Sequence, residues 1–263
     1  MVNNGESGCL KISGSGTATG GKYDEVSISG SGKIVGDVEC NTFKISGSGK
    51  VQGDLKTNDF RISGSGSVLG ALDCVEGKIS GSGKITSNVR ADYFKISGSG
   101  KLEGDFRGKD FGVSGSSTIL GGIYCESVRA AGSVTVDKNI EAEFVELSGG
   151  FRVQGMINAD QVFIHTGGTC TVEEIGATKI IVSERPINMN GIIGWIAKTF
   201  GSSFGYLNVK SIEADEIQLE NTVAEAVRGQ NITIGNGCRI KVVEYSGTLN
   251  VMGNGMVEEQ RKI

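Results

Sequence analysis

One proline (Pro186), one histidine (His165) and one tryptophan (Trp195) occur among 263 residues. Near absence of proline, with aliphatic residues at regular intervals, excludes a disordered Pro-rich chain even though glycine numbers 43. No apolar run approaches the ~20 residues a membrane-spanning helix needs; the longest lies near Ile192–Phe200. No charged n-region followed by an apolar h-region opens the chain, so no secretory leader is expected and the protein reads as cytoplasmic. Positive charge is not in excess: the net charge is −4, which gives no reason to expect nucleic acid as a partner. No CxxC pair or Cys/His cluster is present among the six cysteines, so no zinc site and no cofactor is expected.

What is there is a repeat. Units such as "FKISGSGKVQGDLKTND" recur, and the motif serines fall at Ser13, Ser29, Ser46, Ser63, Ser80, Ser97 and Ser114. The spacing is sixteen once and then seventeen. Columns follow from that register. One before the serine stand Ile12, Ile28, Ile45, Ile62, Ile79 and Ile96, with Ile164 and Ile181 continuing the column. Three before it stand Leu10, Val26, Phe43, Phe60, Gly77, Phe94 and Phe111. Five and nine after it stand aliphatic residues such as Val51 and Leu55. Each repeat thus holds three short alternating segments, F-K-I, K-V and L-K-T, and alternation marks strands with one buried face. Strands this short bury nothing alone. Stacked coil on coil they enclose one core, as in a solenoid. The expected fold is all-β: a right-handed parallel β-helix, a triangular solenoid of about 17 residues per coil, with a short helical insert.

Other columns carry expectations of their own. Cys40, Cys74 and Cys125 share a position with Thr57 and Ala91, which reads as an inward column, not a disulfide framework. Gly36, Gly53, Gly70, Gly104, Gly121 and Gly155 mark a corner where positive φ is expected. Glu39, Lys56, Asp73 and Arg90 alternate in sign and predict a ladder of ion pairs. Lys33, Lys50, Lys84 and Lys101 form an outward column that nearby Asp37, Asp54 and Asp105 could relieve.

The register is interrupted after Val182. The chain divides into a short N-terminal segment (1–9), a regular β-helix (10–183), an apolar and partly helical insert (184–206), C-terminal coils (207–252) and a polar tail (253–263). In the insert Ile192, Ile193, Ile196 and Phe200 fit a short amphipathic helix beside Trp195. These five residues are candidates for docking a membrane surface or a partner, with a weak membrane contact because Lys198 is the helix's one basic residue. About three further coils are expected after the insert, from the recurrence of Ile217/Leu219, Ile232/Ile234 and Leu249/Val251.

β-Helices also serve as carbohydrate-active enzymes, which need clustered carboxylates and a cleft built from long loops. Here loops are minimal, and Asp37, Asp54 and Asp105 recur with the repeat as turn residues do. His165 has no Ser or Cys partner nearby in the chain, and no GK[ST] follows the S-G-S-G strings to make a phosphate loop. The reading is therefore not an enzyme. A carbohydrate-active β-helix enzyme, or a monomeric surface adaptor docking through 184–206, stands as the alternative.

The tandem "FKISGSGKVQGDL" units and residues 211–249, "SIEADEIQLENTVAEAVRGQNITIGNGCRIKVVEYSGTL", resemble the bactofilins, bacterial polymer-forming cytoskeletal proteins, in their longer Gram-positive form. The resemblance covers most of the chain. It implies a right-handed triangular β-helix, filaments assembled without bound nucleotide, and scaffolding of envelope-associated proteins. The lone Pro186 departs from the Pro-rich tails usual in that family. The residues themselves point the same way. Leu10 and Ile12 begin the core columns, and Leu249, Val251 and Met252 continue them near the other end. Those five are the candidate polymer interface, through which the chain would join itself head to tail.

Overall fold

A computed structural model describes residues 8–183 and 205–263. The chain forms two compact units, residues 1–126 and 127–263. Strands run as β1 Leu10–Ile12, β2 Ser15–Lys22, β3 Glu25–Ile28, β4 Ser31–Ile45, β5 Ser48–Gln52, β6 Leu55–Ile62, β7 Ser65–Val68, β8 Leu72–Ile79, β9 Ser82–Ile85, β10 Val89–Ile96, β11 Ser99–Leu102, β12 Phe106–Val113 and β13 Ser116–Ile119. β14 Ile123–Val136 spans the boundary, and the second unit continues with β15 Ile140–Ser183, β16 Tyr206–Leu219, β17 Thr222–Ile234, β18 Arg239–Val251 and β19 Met256–Lys262. All described elements are strands, and their pairing is parallel, coil upon coil. The fold is an all-β parallel β-solenoid. The expected helix falls in residues 184–204, outside the described residues.

In the first unit β1 and the start of β2 pair at an offset of sixteen, and from β4 onward the seventeen-residue register holds strand by strand. Val38 pairs with Leu55, Phe43 with Phe60 and Ile45 with Ile62. The next coil repeats these pairs with Leu72, Gly77 and Ile79. Three sides per coil are visible in the burial of β6, where strict alternation breaks at Asn58 and Asp59 as the chain turns a corner. The Ser-Gly corner is closed by one carbonyl: Ile28 O accepts from Ser46 N at 2.9 Å and Gly47 N at 3.3 Å.

The phenylalanine column points inward. Phe43 and Phe60 are fully buried, and their rings stack with centroids 5.9 Å apart. Gly77 interrupts the column, yet no void results. Phe94 leans into the vacancy, so that its ring lies 6.5 Å from Phe60 across two coils. A Cβ on Gly77 would sit 2.2 Å from Phe94 Cδ2. Phe94 then stacks on Phe111 at 6.3 Å with planes 2° apart. Thr57, Cys74 and Ala91 line an inward column as expected, although Cys125 is only half-buried.

The corner glycines correct one expectation. Gly36 has φ of 101°, but Gly70, Gly104, Gly121 and Gly155 are not in the left-handed region. Close approach explains them: a Cβ on Gly121 would meet Gly104 O at 2.4 Å, and one on Gly70 would meet Gly53 O at the same distance. The motif glycines obey the same rule twice. At Gly81 a Cβ would lie 2.1 Å from Gly64 O, and at Gly83 it would lie 2.7 Å from Ile79 Cδ1. S-G-S-G is thus a packing rule, with one glycine pressed on the backbone below and the next roofed by isoleucine.

Ser117 breaks that rule. It pairs with Gly100 in the first unit's column that is otherwise glycine, is 4% exposed, and its hydroxyl has no hydrogen-bond partner among the described residues. A buried hydroxyl without a partner costs about 1–3 kcal/mol. Replacing Ser117 with alanine should therefore raise the unfolding free energy by roughly that amount, read as a higher denaturant midpoint. An unchanged or lower midpoint would show that the hydroxyl is satisfied.

Outward columns differ from expectation in detail. The aspartates hold corners together: Asp37 Oδ1 accepts from Asp54 N, and Asp54 Oδ1 from Ala71 N, both at 2.8 Å. Asn88, Asp105 and Asn139 do the same for Asp105, Gly122 and Met156. They are thereby engaged with backbone, and Glu103 pairs with Lys84 and Lys101 instead, at 2.9 and 3.2 Å. Register does align Glu39, Lys56, Asp73 and Arg90. Among the described residues, however, the closed ion pair on Glu39 is to Lys22, at 2.9 Å. Exposed side chains gain too little from pairing in water to offset the loss of rotamer freedom, so the predicted ladder stays largely open.

In the second unit the register departs from seventeen more than once, first within β15 and again where β17 meets β16 and β18. Val153 and Cys170 are inward seventeen residues apart, but Ile157 is followed inward by Ile175, not by exposed Glu174. One residue has been added between Cys170 and Ile175. Consequently Ile180 and Val182 are buried and the expected inward Ile181 is not. β16 then stacks on the last coil of β15, with Cys170 opposite Leu207 and Ile180 opposite Ile217. β16 is thus the coil next to Thr169–Val182. β16, β17 and β18 are the three coils expected. The segment read as a polar tail is partly a further strand, because β19 pairs in register with Arg239–Tyr245 of β18.

Candidate functional site

The candidate interface pairs each continue an inward column of their own unit. Leu10 and Ile12 in β1 pair with Val26 and Ile28, in the column that holds Phe43 and Ile45 one coil on. Leu249 and Val251 in β18 pair with Ile232 and Ile234, which in turn pair with Ile217 and Leu219. Burial falls at these outermost coils. Val26, Ile28 and Ile234 are fully buried and Ile232 is 1% exposed, whereas Leu10, Ile12 and Leu249 are half-buried. Val251 is 40% exposed and Met252 47%. Each outermost coil therefore presents an apolar pair at i and i+2: Leu-Lys-Ile in the first unit and Leu-Asn-Val in the second.

Among the described residues no strand lies over Thr248–Val251, because β19 covers only Arg239–Tyr245. β19 follows a turn at Gly253 (φ 62°) and Asn254, whose side chain accepts from Gly237 N at 2.7 Å. Val257 lies over Ile240, but from Glu259 on its residues are polar where most of those beneath are apolar or aromatic. Gln260 lies over Val243, and Lys262 over Tyr245. Arg228 and Arg261 both bind Glu244, at 2.6 and 3.3 Å, and Arg261 also binds Glu259. The hydrogen bond from Arg228 holds the Glu244 carboxyl below its ordinary range. The outer surface is thus divided. β19 acts as a polar cap over part of the coil, and Leu249, Val251 and Met252 form an uncovered apolar ledge beside it. Sequence reasoning missed the cap because "VEEQRKI" has no apolar alternation to mark a strand.

Ile192, Ile193, Trp195, Ile196 and Phe200, the candidate docking residues, lie outside the described residues. No described helix is long and apolar enough to cross a membrane. Among the described residues no group of three or more His, Cys, Asp or Glu side chains is placed to hold a metal ion.

One polar constellation was invisible in the sequence because its members stand on three successive coils. His165 Nδ1 lies 3.2 Å from Ser183 Oγ, and Nε2 lies 3.9 Å from Glu146 Oε1. Order of base, hydroxyl and carboxylate suggests acyl-transfer chemistry, but Ser183 is only 6% exposed and offers no open face to a substrate. Burial pushes the imidazole below its ordinary 6.5, with Glu146 opposing. The unfolded chain therefore binds more protons around that value. Stability from neutral His165 is complete above pH ~6.5 and is lost as pH falls from there through the lower folded value. Between about pH 7 and 5.5 the wild-type midpoint should fall. His165→Gln should flatten that portion of the profile; an identical slope in the variant would exclude His165 as its source.

The comparisons with known proteins add sequence likeness alone. The chain is 35% identical over 92 residues to "Uncharacterized protein YhbF" of Bacillus subtilis (strain 168), covering 35% of this chain and 34% of that protein. It is 34% identical over 108 residues to "Uncharacterized protein YhbE" of the same organism, covering 41% and 43%. The matches thus span about a third to two fifths of those relatives' length. No family profile matches the chain. No solved structure matches it.

Proposed function

We propose that this chain is a structural protein whose copies join head to tail into filaments without bound nucleotide, as in the bactofilins it resembles. One observation carries the reading: in its own unit, the Leu10/Ile12 pair and the Leu249/Val251 ledge each continue an inward column as a less buried apolar pair at i and i+2. Set on Thr248–Val251 of another copy, β1 would continue the column as Val26 and Ile28 continue it within the chain. Parallel strands stack about 4.8 Å apart, so the added strand would cover the ledge and satisfy its free backbone groups. A contact between unlike surfaces builds a filament when its rotation does not close. On this reading the protein works in the cytoplasm as a scaffold for envelope-associated partners, with 184–206 as a docking element, and has no catalytic role.

Leu249→Arg tests it. Arginine would place charge between the two apolar pairs. Parent protein should form filaments in negative-stain electron microscopy and sediment as a broad high-mass species. The variant should sediment as short soluble species, with assembly weakened by tenfold or more. Gln260 and Lys262 over the neighbouring columns favour the second reading, a monomeric adaptor. Parent protein that stays monomeric at high concentration over a range of salt would establish the adaptor and end the filament reading.

A further inference from the structure

Glycine turns one face of the first unit into a trough. On the Ser-Gly-Lys side, Gly49, Gly83 and Gly100 face the core and are buried, so their bare backbone is the outer floor. Exposed serines such as Ser48 and Ser82 form one wall and the lysine column forms the other. Among the described residues Lys33 and Lys50 make no ion pair, and Lys84 and Lys101 share the single carboxylate of Glu103. The wall is therefore positive, with Ser67 interrupting the column between Lys50 and Lys84.

The second unit carries the opposite sign. Residues 1–126 hold 14 basic and 14 acidic side chains, and residues 127–263 hold 12 and 16, so the whole −4 belongs to the second unit. A second trough lies on that unit, floored by Ala159, Gly176 and Ala177, and its rim includes Glu141, Asp160 and Glu174. All three carboxylates are exposed, and none closes an ion pair among the described residues. They stand on three successive coils but not in one column: Asp160 is three residues past inward Ile157, whereas Glu174 is one residue before inward Ile175.

We propose that the lysine trough of the first unit is a lateral docking face for a second copy of this chain, received by the carboxylate trough of that copy's second unit. Charge complementarity selects the occupant. Small floors on both faces admit close approach. The contact is polar, unlike the apolar ledge, and does not depend on the head-to-tail reading.

The experiment uses the full chain carrying Leu249→Arg, so that ledge contacts do not contribute. Sedimentation equilibrium should show self-association at about 20 mM salt that disappears by about 500 mM, because such pairs are screened. Lys33→Glu with Lys50→Glu should weaken association by tenfold or more. So should Glu141→Lys with Asp160→Lys and Glu174→Lys. Mixing the two charge-reversed chains should restore association, because the reversed wall of one meets the reversed rim of the other, and combining all five changes in one chain is the decisive arm. Association should then return, with native circular dichroism in every variant. A chain monomeric at low salt, reversals without effect, or a combined variant that stays apart would overturn the proposal. Filament loss with lateral association retained, or the reverse, separates this contact from the ledge.

Discussion

Replacing Phe60 with alanine should lower the unfolding free energy by about 3–5 kcal/mol. Phe60 is fully buried and its ring is held from both sides, by Phe43 at 5.9 Å and by Phe94 at 6.5 Å. Truncation removes the ring's transfer energy and leaves a cavity, the two terms that make such changes severe. The neighbouring coil cannot fill it with its own residue, since Gly77 has no side chain. Phe94 already occupies the space above Gly77 and would have to move farther to reach the new void. Urea unfolding of the variant, followed by circular dichroism, measures the loss. A change below ~1 kcal/mol, the range of a surface substitution, would mean that the column is not the core.

Gly81→Ala should be comparably damaging although it adds one methyl group. Its Cβ would lie 2.1 Å from Gly64 O and 2.3 Å from Ser63 O. Both obstacles are backbone, so no rotamer change relieves them. The coils would have to separate where Gly81 N bonds Ile62 O at 3.3 Å and Ser82 N bonds Gly64 O at 2.9 Å. Overpacking against yielding side chains costs about 1–3 kcal/mol; against fixed backbone the expected loss is ~3 kcal/mol or more. Gly112→Ala is the control, because its nearest neighbour would be Lys95 Cγ at 3.8 Å. Equal effects at positions 81 and 112 would refute the close-approach account.

Inner columns were legible because burial imposes a strict two-residue alternation, and a stack repeats it with every coil. Phe43, Phe60, Phe94 and Phe111 could be placed on that basis alone. The lean of Phe94 over Gly77 depends on three coils at once, and no local pattern reveals it. Glycine was read through its conformational freedom, but contact distance decides most positions, and distance between coils is not written in any one segment. The added residue between Cys170 and Ile175 shifted the column by one and carried Ile181 outward. A pattern read seventeen by seventeen passes over such a slip. The apolar pairs of the assembly surface were legible as column ends. Their division by β19 was not, because a polar strand held by Arg228, Glu244 and Arg261 has no hydrophobic signature.

Because each coil from β4 to β13 meets its neighbours through the same seventeen-residue offset, the length of that stretch is a free variable. Deleting one whole coil brings together two surfaces that already know how to fit, and duplicating one does the same. A gene encoding such a stack can gain or lose whole periods through recombination between near-identical segments. A single inserted codon is another matter. It turns the following side chains over unless a corner absorbs it, as the corner before Ile175 does. The solenoid is a ruler that tolerates errors of a full division and resists errors of a fraction.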